Sequence, residues 1–280
     1  MDQQQQTHNA YAAELLALAQ GKGWQVPVFN LSLYKDSVTR YCIVIPLINE
    51  GQRIHSLLRR IHSLQLDQVA DIVLVDGGSS DGSLTPEALH GHRLCALLTK
   101  TGPGGLSAQL RCGYAFALLR GYAGIVTIDG NNKDDPASMR RFFECLDSGF
   151  EMVQASRFIE GGVAENTPLL RWVAIRALHA PVLSLASGFH WTDTTQGYRA
   201  YSATMLLDSK VGIFRDIFLD YELLAYLSYR APKLGYKCLE VPTRRSYPAD
   251  GAVPTKIGGW RGNARLLSTL YRACFGKFNP

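Results

Sequence analysis

Two aspartates stand directly after short apolar runs: Asp76 after Ile72-Val73-Leu74-Val75, and Asp129 after Gly124 to Ile128. A third polar pair, Asn49-Glu50, closely follows Tyr41-Cys42-Ile43-Val44-Ile45-Pro46. Carboxylates so placed suit a nucleotide and a divalent metal. One can accept from a base N–H or from ribose hydroxyls, and another can ligate a hard cation that neutralises a diphosphate. Taken singly, the same residues also serve as N-caps and turn formers. Other chemistries are disfavoured. Gly102-Pro103-Gly104-Gly105-Leu106-Ser107 follows the third apolar run and is not GxGxxG, and no GxxxxGK[ST] occurs. Cys42, Cys95, Cys112, Cys145, Cys238 and Cys274 form no CxxC or zinc-ribbon spacing, which suits a reducing cytosol.

The elements that must position these residues alternate in type. Strands are expected at 41–45, 72–75, 94–98, 124–128 and 152–155, and helices at 50–64, 107–120 and 139–146. Continuous apolar strands between amphipathic helices specify an α/β fold with a mostly parallel sheet covered on both faces. Ligands bind beyond the carboxyl ends of such strands. The clusters Asn49-Glu50, Asp76 to Asp81 and Asp129 to Asp135 should therefore converge on one crevice. Residues 1–40 read as an N-terminal appendage, with a short helix over 12–19 and loop over 21–35. The catalytic domain reads as 41–255, followed by a basic amphipathic segment, 256–280.

The 280 residues carry a formal charge of +5, with 46% hydrophobic and 19% charged residues, a globular balance that excludes a disordered chain. From Arg230 to Pro280 ten basic residues face two acidic ones, a net +8, while the rest of the chain is at −3. That asymmetry suits an anionic partner or a merely solvated face. No nucleic-acid recognition motif accompanies it. The N-terminus lacks the pattern of a secretory signal, and no run of about 18 apolar residues occurs.

Jointly, these segments resemble a known family. Ile45-Pro46-Leu47-Ile48-Asn49-Glu50, Val75-Asp76-Gly77-Gly78-Ser79-Ser80-Asp81-Gly82 and Ile128-Asp129-Gly130-Asn131, in that order, resemble the V-I-P-x-x-N-E, V-D-D-G-S-S-D-G and D-x-D motifs of the family 2 glycosyltransferases of GT-A fold. Ser156-Arg157, Asp193-Thr194-Thr195-Gln196-Gly197-Tyr198-Arg199-Ala200-Tyr201, Gly235 to Pro242 and Lys256-Ile257-Gly258-Gly259 are similar to the dolichol-phosphate mannosyltransferase branch. The resemblance spans roughly 41–262.

It implies a GT-A nucleotide-diphospho-sugar transferase fold and an inverting transfer from a UDP- or GDP-linked sugar to a polyprenyl or dolichyl phosphate. Pro46, Glu50 and Asp76 would line the nucleotide, with Gly105 and Arg111 near it. The second acid of the family pair is Gly77 here. Asp129 and Asn131 would hold Mg²⁺ or Mn²⁺ weakly, since a neutral amide replaces a carboxylate. Lys133 stands where the branch often has Gln and would meet a diphosphate oxygen. Asp134 or Asp135 would restore a ligand or cap the helix after Pro136. Arg157, Arg199 and Lys256 would gather around the acceptor phosphate, with Asp193 and Gln196 facing the sugar or holding Arg199. An ionised phosphate needs cations and no base. In hydroxyl-accepting relatives a base sits where Asp220 and Glu222 lie, so an alcohol acceptor is the alternative. A catalytically weak nucleotide-sugar-binding protein is another.

Thr167 to Gly188 is long enough to cross a bilayer (about 30 Å as a helix). Arg171, Arg176, His179 and Pro181 favour an in-plane amphipathic helix instead. Trp260 to Phe278 mixes aromatic and basic residues in a pattern suited to anionic headgroups. Many lipid-phosphate relatives add transmembrane helices beyond this point. The expectation is a protein peripheral on the cytoplasmic face of a membrane, or one attached through a membrane partner subunit.

Overall fold

The computed structural model describes residues 3–36, 39–248 and 259–280. Its strands are β1 (Phe29–Tyr34), β2 (Tyr41–Leu47), β3 (Ala70–Asp76), β4 (Ala96–Lys100), β5 (Gly124–Thr127), β6 (Met152–Ser156), β7 (Val163–Glu165), β8 (Arg199–Ser202), β9 (Cys238–Pro242) and β10 (Arg244–Ser246). The helices are α1 (Gln3–Gly21), α2 (Gln52–Ser63), α3 (Pro86–Leu89), α4 (Leu106–Leu119), α5 (Met139–Asp147), α6 (Leu169–Ala174), α7 (Ala180–Ser187), α8 (Ala203–Leu207), α9 (Glu222–Lys233) and α10 (Gly259–Cys274).

Eight strands form the main sheet in the order β1-β4-β3-β2-β5-β8-β6-β9. β4, β3, β2 and β5 run parallel, as do β6 and β9; β8 runs antiparallel between β5 and β6. A small parallel pair, β7 and β10, stands apart. β2 is buried along its whole length and its side chains alternate between two cores. Cys42 and Val44 join the side covered by α1, α4, α7, α9 and α10, whereas Ile43 and Ile45 join the side covered by α2, α3 and α5. The α/β fold with a mostly parallel, two-faced sheet is thus as expected.

The N-terminal segment differs from expectation. Its helix runs Gln3–Gly21, burying His8, Ala12, Leu15 and Ala19 along one stripe. The stretch expected as loop contains β1, which pairs antiparallel with β4 and seats Phe29 and Leu31 in the core. Asn30 and Ser32 point outward, so Phe-Asn-Leu-Ser-Leu is an alternating strand whose polar half masked its pattern.

Leu169–Ser187 is one helical stretch, α6 and α7 joined by a π-helical turn over Ile175–His179. Pro181 lacks the N–H that would close the regular ladder there. Among the described residues it is the one helix whose length and composition would allow it to cross a membrane. Leu169, Leu170, Trp172, Val173 and Leu185 are exposed. α10 packs on α9 and α7, burying Leu270 and Ala273 and leaving Tyr271 exposed, with Phe275 exposed just beyond its end.

Candidate active site

The carboxyl ends of β3, β2 and β5 meet because the turns beyond them bond to one another. Gly77 N–H donates to Leu47 O (2.9 Å) and Gly130 N–H to Pro46 O (3.3 Å), so Asp76 and Asp129 flank Pro46-Leu47. The Asn49 amide oxygen accepts from Ser80 N–H (2.8 Å) and Asp81 Oδ2 from Gly51 N–H (2.8 Å), which ties the first two motifs together. Asp76 is buried, and its Oδ1 accepts from the N–H and hydroxyl of Ser79 (2.8 and 2.7 Å). Glu50 pairs with Arg53 (2.8 Å). The Gln109 amide donates to Leu47 O and Val75 O (2.8 Å each) and fills the space beside Gly77, where the family's second acid would project.

Asp129 lies beside this junction. The 193–198 loop presses on it so closely that a methyl group on Gly197 would sit 2.4 Å from Asp129 Oδ1. The Asn131 amide oxygen accepts from Lys133 N–H (3.1 Å), a local turn. Asp134 is fully buried on Arg245 (2.5 Å), and Asp135 caps Ala137 N–H and pairs with Arg60. Among the described residues no group of three His, Cys, Asp or Glu could hold a metal ion. A cation here would rest on the Asp129 carboxylate and the Asn131 amide, both hard oxygen donors, with diphosphate oxygens completing its shell.

A cationic cluster adjoins Asp129. Arg157, after β6, is held by both oxygens of the buried Asp193 (2.6 and 3.0 Å), yet its Nη1 has no hydrogen-bond partner. Burial opposes the Asp193 carboxylate, but the Arg157 guanidinium outweighs it and holds its pKa below the usual carboxylate range. Arg245, on β10, bridges Asp134 and Asp129 (3.5 Å to the latter). Arg171, on α6, donates to the Tyr247 hydroxyl (3.0 Å), and Lys133 lies over the Tyr247 ring at 5.1 Å. Burial and the neighbouring Arg245 lower the pKa of the Lys133 ammonium.

Arg245 and Tyr247 were not singled out in the sequence, and Arg171 was read only as a charge on an amphipathic helix. The signal was a second arginine at 245 after the Gly235 to Pro242 motif, but nothing local tied it to Asp134, 111 residues earlier.

Several expected site residues lie elsewhere. Arg199 has no exposed surface. It donates to Gln196 O (2.9 Å), Leu224 O (2.6 Å), Ser228 Oγ (3.1 Å) and Thr194 O (3.1 Å), so it fastens the 193–198 loop to α9 and does not face an acceptor. Asp193 holds Arg157, not Arg199, and the Gln196 amide donates to Asp193 (2.5 Å). Arg111 is buried on Gln25 O (2.5 Å) and Asp216 (2.7 Å), securing the segment before β1. The N–H groups of Gly105, Ser107 and Ala108 are taken by Leu219 O and Asp220 O, so the α4 N-terminus offers no free phosphate cradle there. A methyl group on Gly105 would lie 2.5 Å from Asp220 Oδ1.

Asp220 pairs with Arg265 of α10. Glu222 accepts from Leu219 N–H (3.0 Å) and Asp220 N–H (2.6 Å), so both candidate bases serve structure. Lys256 lies outside the described residues. A cavity of about 660 Å³, lined by His55, His62, His90 and His92, opens beside α2 and the loop before β4, away from these strand ends.

Acids at the carboxyl ends of a mostly parallel sheet, with a cationic cluster beside them, are the arrangement of a GT-A glycosyltransferase. No family model matches the chain. It is similar to the polyprenol monophosphomannose synthase of Mycolicibacterium smegmatis, 30% identical over 213 residues, covering 72% of this chain and 76% of that one. An undecaprenyl-phosphate mannosyltransferase of Micrococcus luteus is 27% identical over 221 residues, 72% and 82% of the two chains. Among solved structures, glucosyl-3-phosphoglycerate synthase of Mycobacterium tuberculosis, in complex with Mn²⁺, UDP and phosphoglyceric acid, aligns with a TM-score of 0.54 at 20% identity, over 94% of this chain and 82% of that one. Mannosyl-3-phosphoglycerate synthase of Rubrobacter xylanophilus aligns with a TM-score of 0.56 at 13% identity, over 94% and 77%. The chain belongs to the polyprenyl-phosphate glycosyltransferase family and is a glycosyltransferase.

Proposed function

We propose that this enzyme transfers a hexose, with inversion, from a nucleoside diphosphate to the phosphate of a polyprenyl phosphate at a membrane surface. The relatives of known acceptor act on polyprenol or undecaprenyl phosphate. The observation that carries the reading is the cluster of Arg157, Arg171, Arg245 and Lys133 beside Asp129, combined with the structural engagement of Asp220 and Glu222. A phosphate acceptor arrives ionised and needs positive charge to hold and aim it. A hydroxyl acceptor would need a base, and among the described residues the carboxylates at this mouth are already paired with arginines.

In this reading Asp76 and Glu50 receive the nucleoside, and Asp129 marks the diphosphate. A divalent cation, Mg²⁺ or Mn²⁺, held by Asp129 and Asn131, would supply positive charge to the leaving diphosphate. Lys133 adds a fixed cation on the same side. The acceptor's phosphate oxygen attacks the anomeric carbon opposite the departing nucleoside diphosphate, and the arginines keep it in line. Arg171 belongs to the helix whose exposed face carries Leu169, Leu170, Trp172 and Val173, so a lipid tail lying along that face would deliver its headgroup to the cluster.

The test is one incubation of the purified protein with a panel of UDP- and GDP-sugars and either polyprenyl phosphate or the dephosphorylated polyprenol, with Mg²⁺ or Mn²⁺. Transfer to the phosphate alone supports the reading. Equal transfer to the alcohol overturns it. Half-maximal activation by either metal is expected in the millimolar range, and saturation at micromolar metal would contradict a one-carboxylate site.

A further inference from the structure

Tyr247 sits where the four cations meet, and its polar end is not fully used. Its hydroxyl accepts from Arg171 Nη1 at 3.0 Å. Lys133 of the loop after β5, Arg171 of α6 and Arg245 of β10 lie 5.1, 5.7 and 5.7 Å from its ring centroid. Its main chain is pinned on both sides, by Glu165 O (3.1 Å) and by the Asn166 amide (3.1 Å). Among the described residues no hydrogen bond uses the phenolic proton. Two donors, that proton and Arg157 Nη1, therefore remain available on side chains that are 4% and 3% exposed. Among the described residues the nearby acids are already paired: Asp129 and Asp134 on Arg245, Asp193 on Arg157, and Glu165 on Ser246 and Arg244, with only Asp134 Oδ1 among their buried oxygens keeping no partner. Buried donors without acceptors are rare in folded proteins, and two at one cationic mouth mark the place of a missing anion.

We propose that the neutral Tyr247 phenol donates a hydrogen bond to an oxygen of the acceptor's phosphate, alongside Arg157 and Arg171. The inference rests on the polyprenyl phosphate reading and adds to it a contact that selects a phosphate by its proton-accepting oxygen. It carries a pH consequence. Burial alone would push the phenol's pKa up, but Arg245, Arg171 and Arg157 outweigh it and bring it down to about 8. Above that pH the group loses its proton, can no longer donate, and sets a negative charge against the phosphate.

Acceptor KM, donor KM and kcat for wild type and Tyr247→Phe, measured from pH 6.5 to 9.5, test the contact. In the wild type the acceptor KM should rise above about pH 8, approaching roughly tenfold per pH unit. In Tyr247→Phe it should already be raised about tenfold at pH 7, as for a lost hydrogen bond to a charged group, and should then stay flat to pH 9. The donor KM should not change. A variant that keeps the wild-type acceptor KM and alkaline rise would overturn the proposal.

A second measurement needs no turnover. The wild-type-minus-variant ultraviolet difference spectrum should show one tyrosine ionising near pH 8, moved upward by a saturating short-chain isoprenyl phosphate. An unmoved titration with that probe bound overturns the contact. If the wild type transfers sugar to no lipid phosphate, the functional reading has failed on its own, and the same spectrum with inorganic phosphate still decides whether Tyr247 senses the anion.

Discussion

At the scale of single residues, the buried pair Arg157–Asp193 is the most demanding feature of the site. Both side chains are almost wholly withdrawn from water, so removing one charge strands the other. Asp193→Asn should lower unfolding stability by about 3–5 kcal/mol and raise the acceptor KM, measurable by denaturant titration and initial rates.

Glu240 lies behind this pair. Its carboxylate accepts from Thr192 N–H (3.0 and 2.9 Å), from the Thr192 hydroxyl (2.8 Å) and from Asp193 N–H (3.0 Å). Burial pushes its pKa up to about 7, against the pull of those hydrogen bonds. The folded value lies above that of a free glutamate, so its contribution to stability is full at pH 4 and is lost as pH rises through 7. Glu240→Gln should flatten that dependence by something of the order of 2 kcal/mol between pH 5 and 8. A melting profile as steep as the wild type's would show that other groups set it.

These residues mark the limit of what the sequence discloses. Asp76 and Asp129 were legible because each directly follows an apolar strand. Arg199 was misleading because its motif position is the same whether it faces a ligand or, as here, four internal oxygen acceptors.

At the scale of elements, the strands and helices expected between Tyr41 and Ser156 fell where their periodicity placed them, within one or two residues at their ends, while the one-turn α3 was not foreseen. Local pattern suffices there because each strand is buried on both faces and each helix has one apolar stripe. Pairing across long sequence separations was not legible. β10 joins β7, and Arg244 and Arg245 reach back to the 134–135 loop, through contacts that no local pattern encodes.

The junction of α4 with the 219–220 turn shows the consequence. Glycine is needed at 105 because Asp220 fills the space beside it, and Asp220 in turn receives Arg265 from α10. Gly105→Ala should displace that carboxylate, cost about 1–3 kcal/mol, and loosen α10. Faster hydrogen exchange in residues 262–274 with little change in β2 and β3 would verify it. Uniform loss of protection would point to general unfolding.

At the scale of the whole molecule, the apolar stripe of α6, the exposed Leu185 and Tyr271, and Phe275 just past the end of α10 belong to a helical side of the molecule where α7 packs against α9 and α10. A bilayer surface can cover such residues, and the basic C-terminal region adds attraction to anionic headgroups. Co-flotation with vesicles containing anionic lipid should weaken as salt rises. Replacing Leu169 and Leu170 together by serine should reduce the bound fraction about tenfold or more, since each leucine contributes about 1.5–3 kcal/mol when buried. Binding unchanged by both the substitutions and salt would place the contact elsewhere.

The opening strand carries one more implication. β1 closes a sheet whose β4 would otherwise present a row of unpaired amides and carbonyls. Shortening the protein to begin near Tyr41, at the start of β2, would leave that rim sticky and strand the Arg111 guanidinium without the Gln25 carbonyl. Such a trimmed version should clump, and its loss of solubility would be a fault of the missing hem rather than of the chemistry.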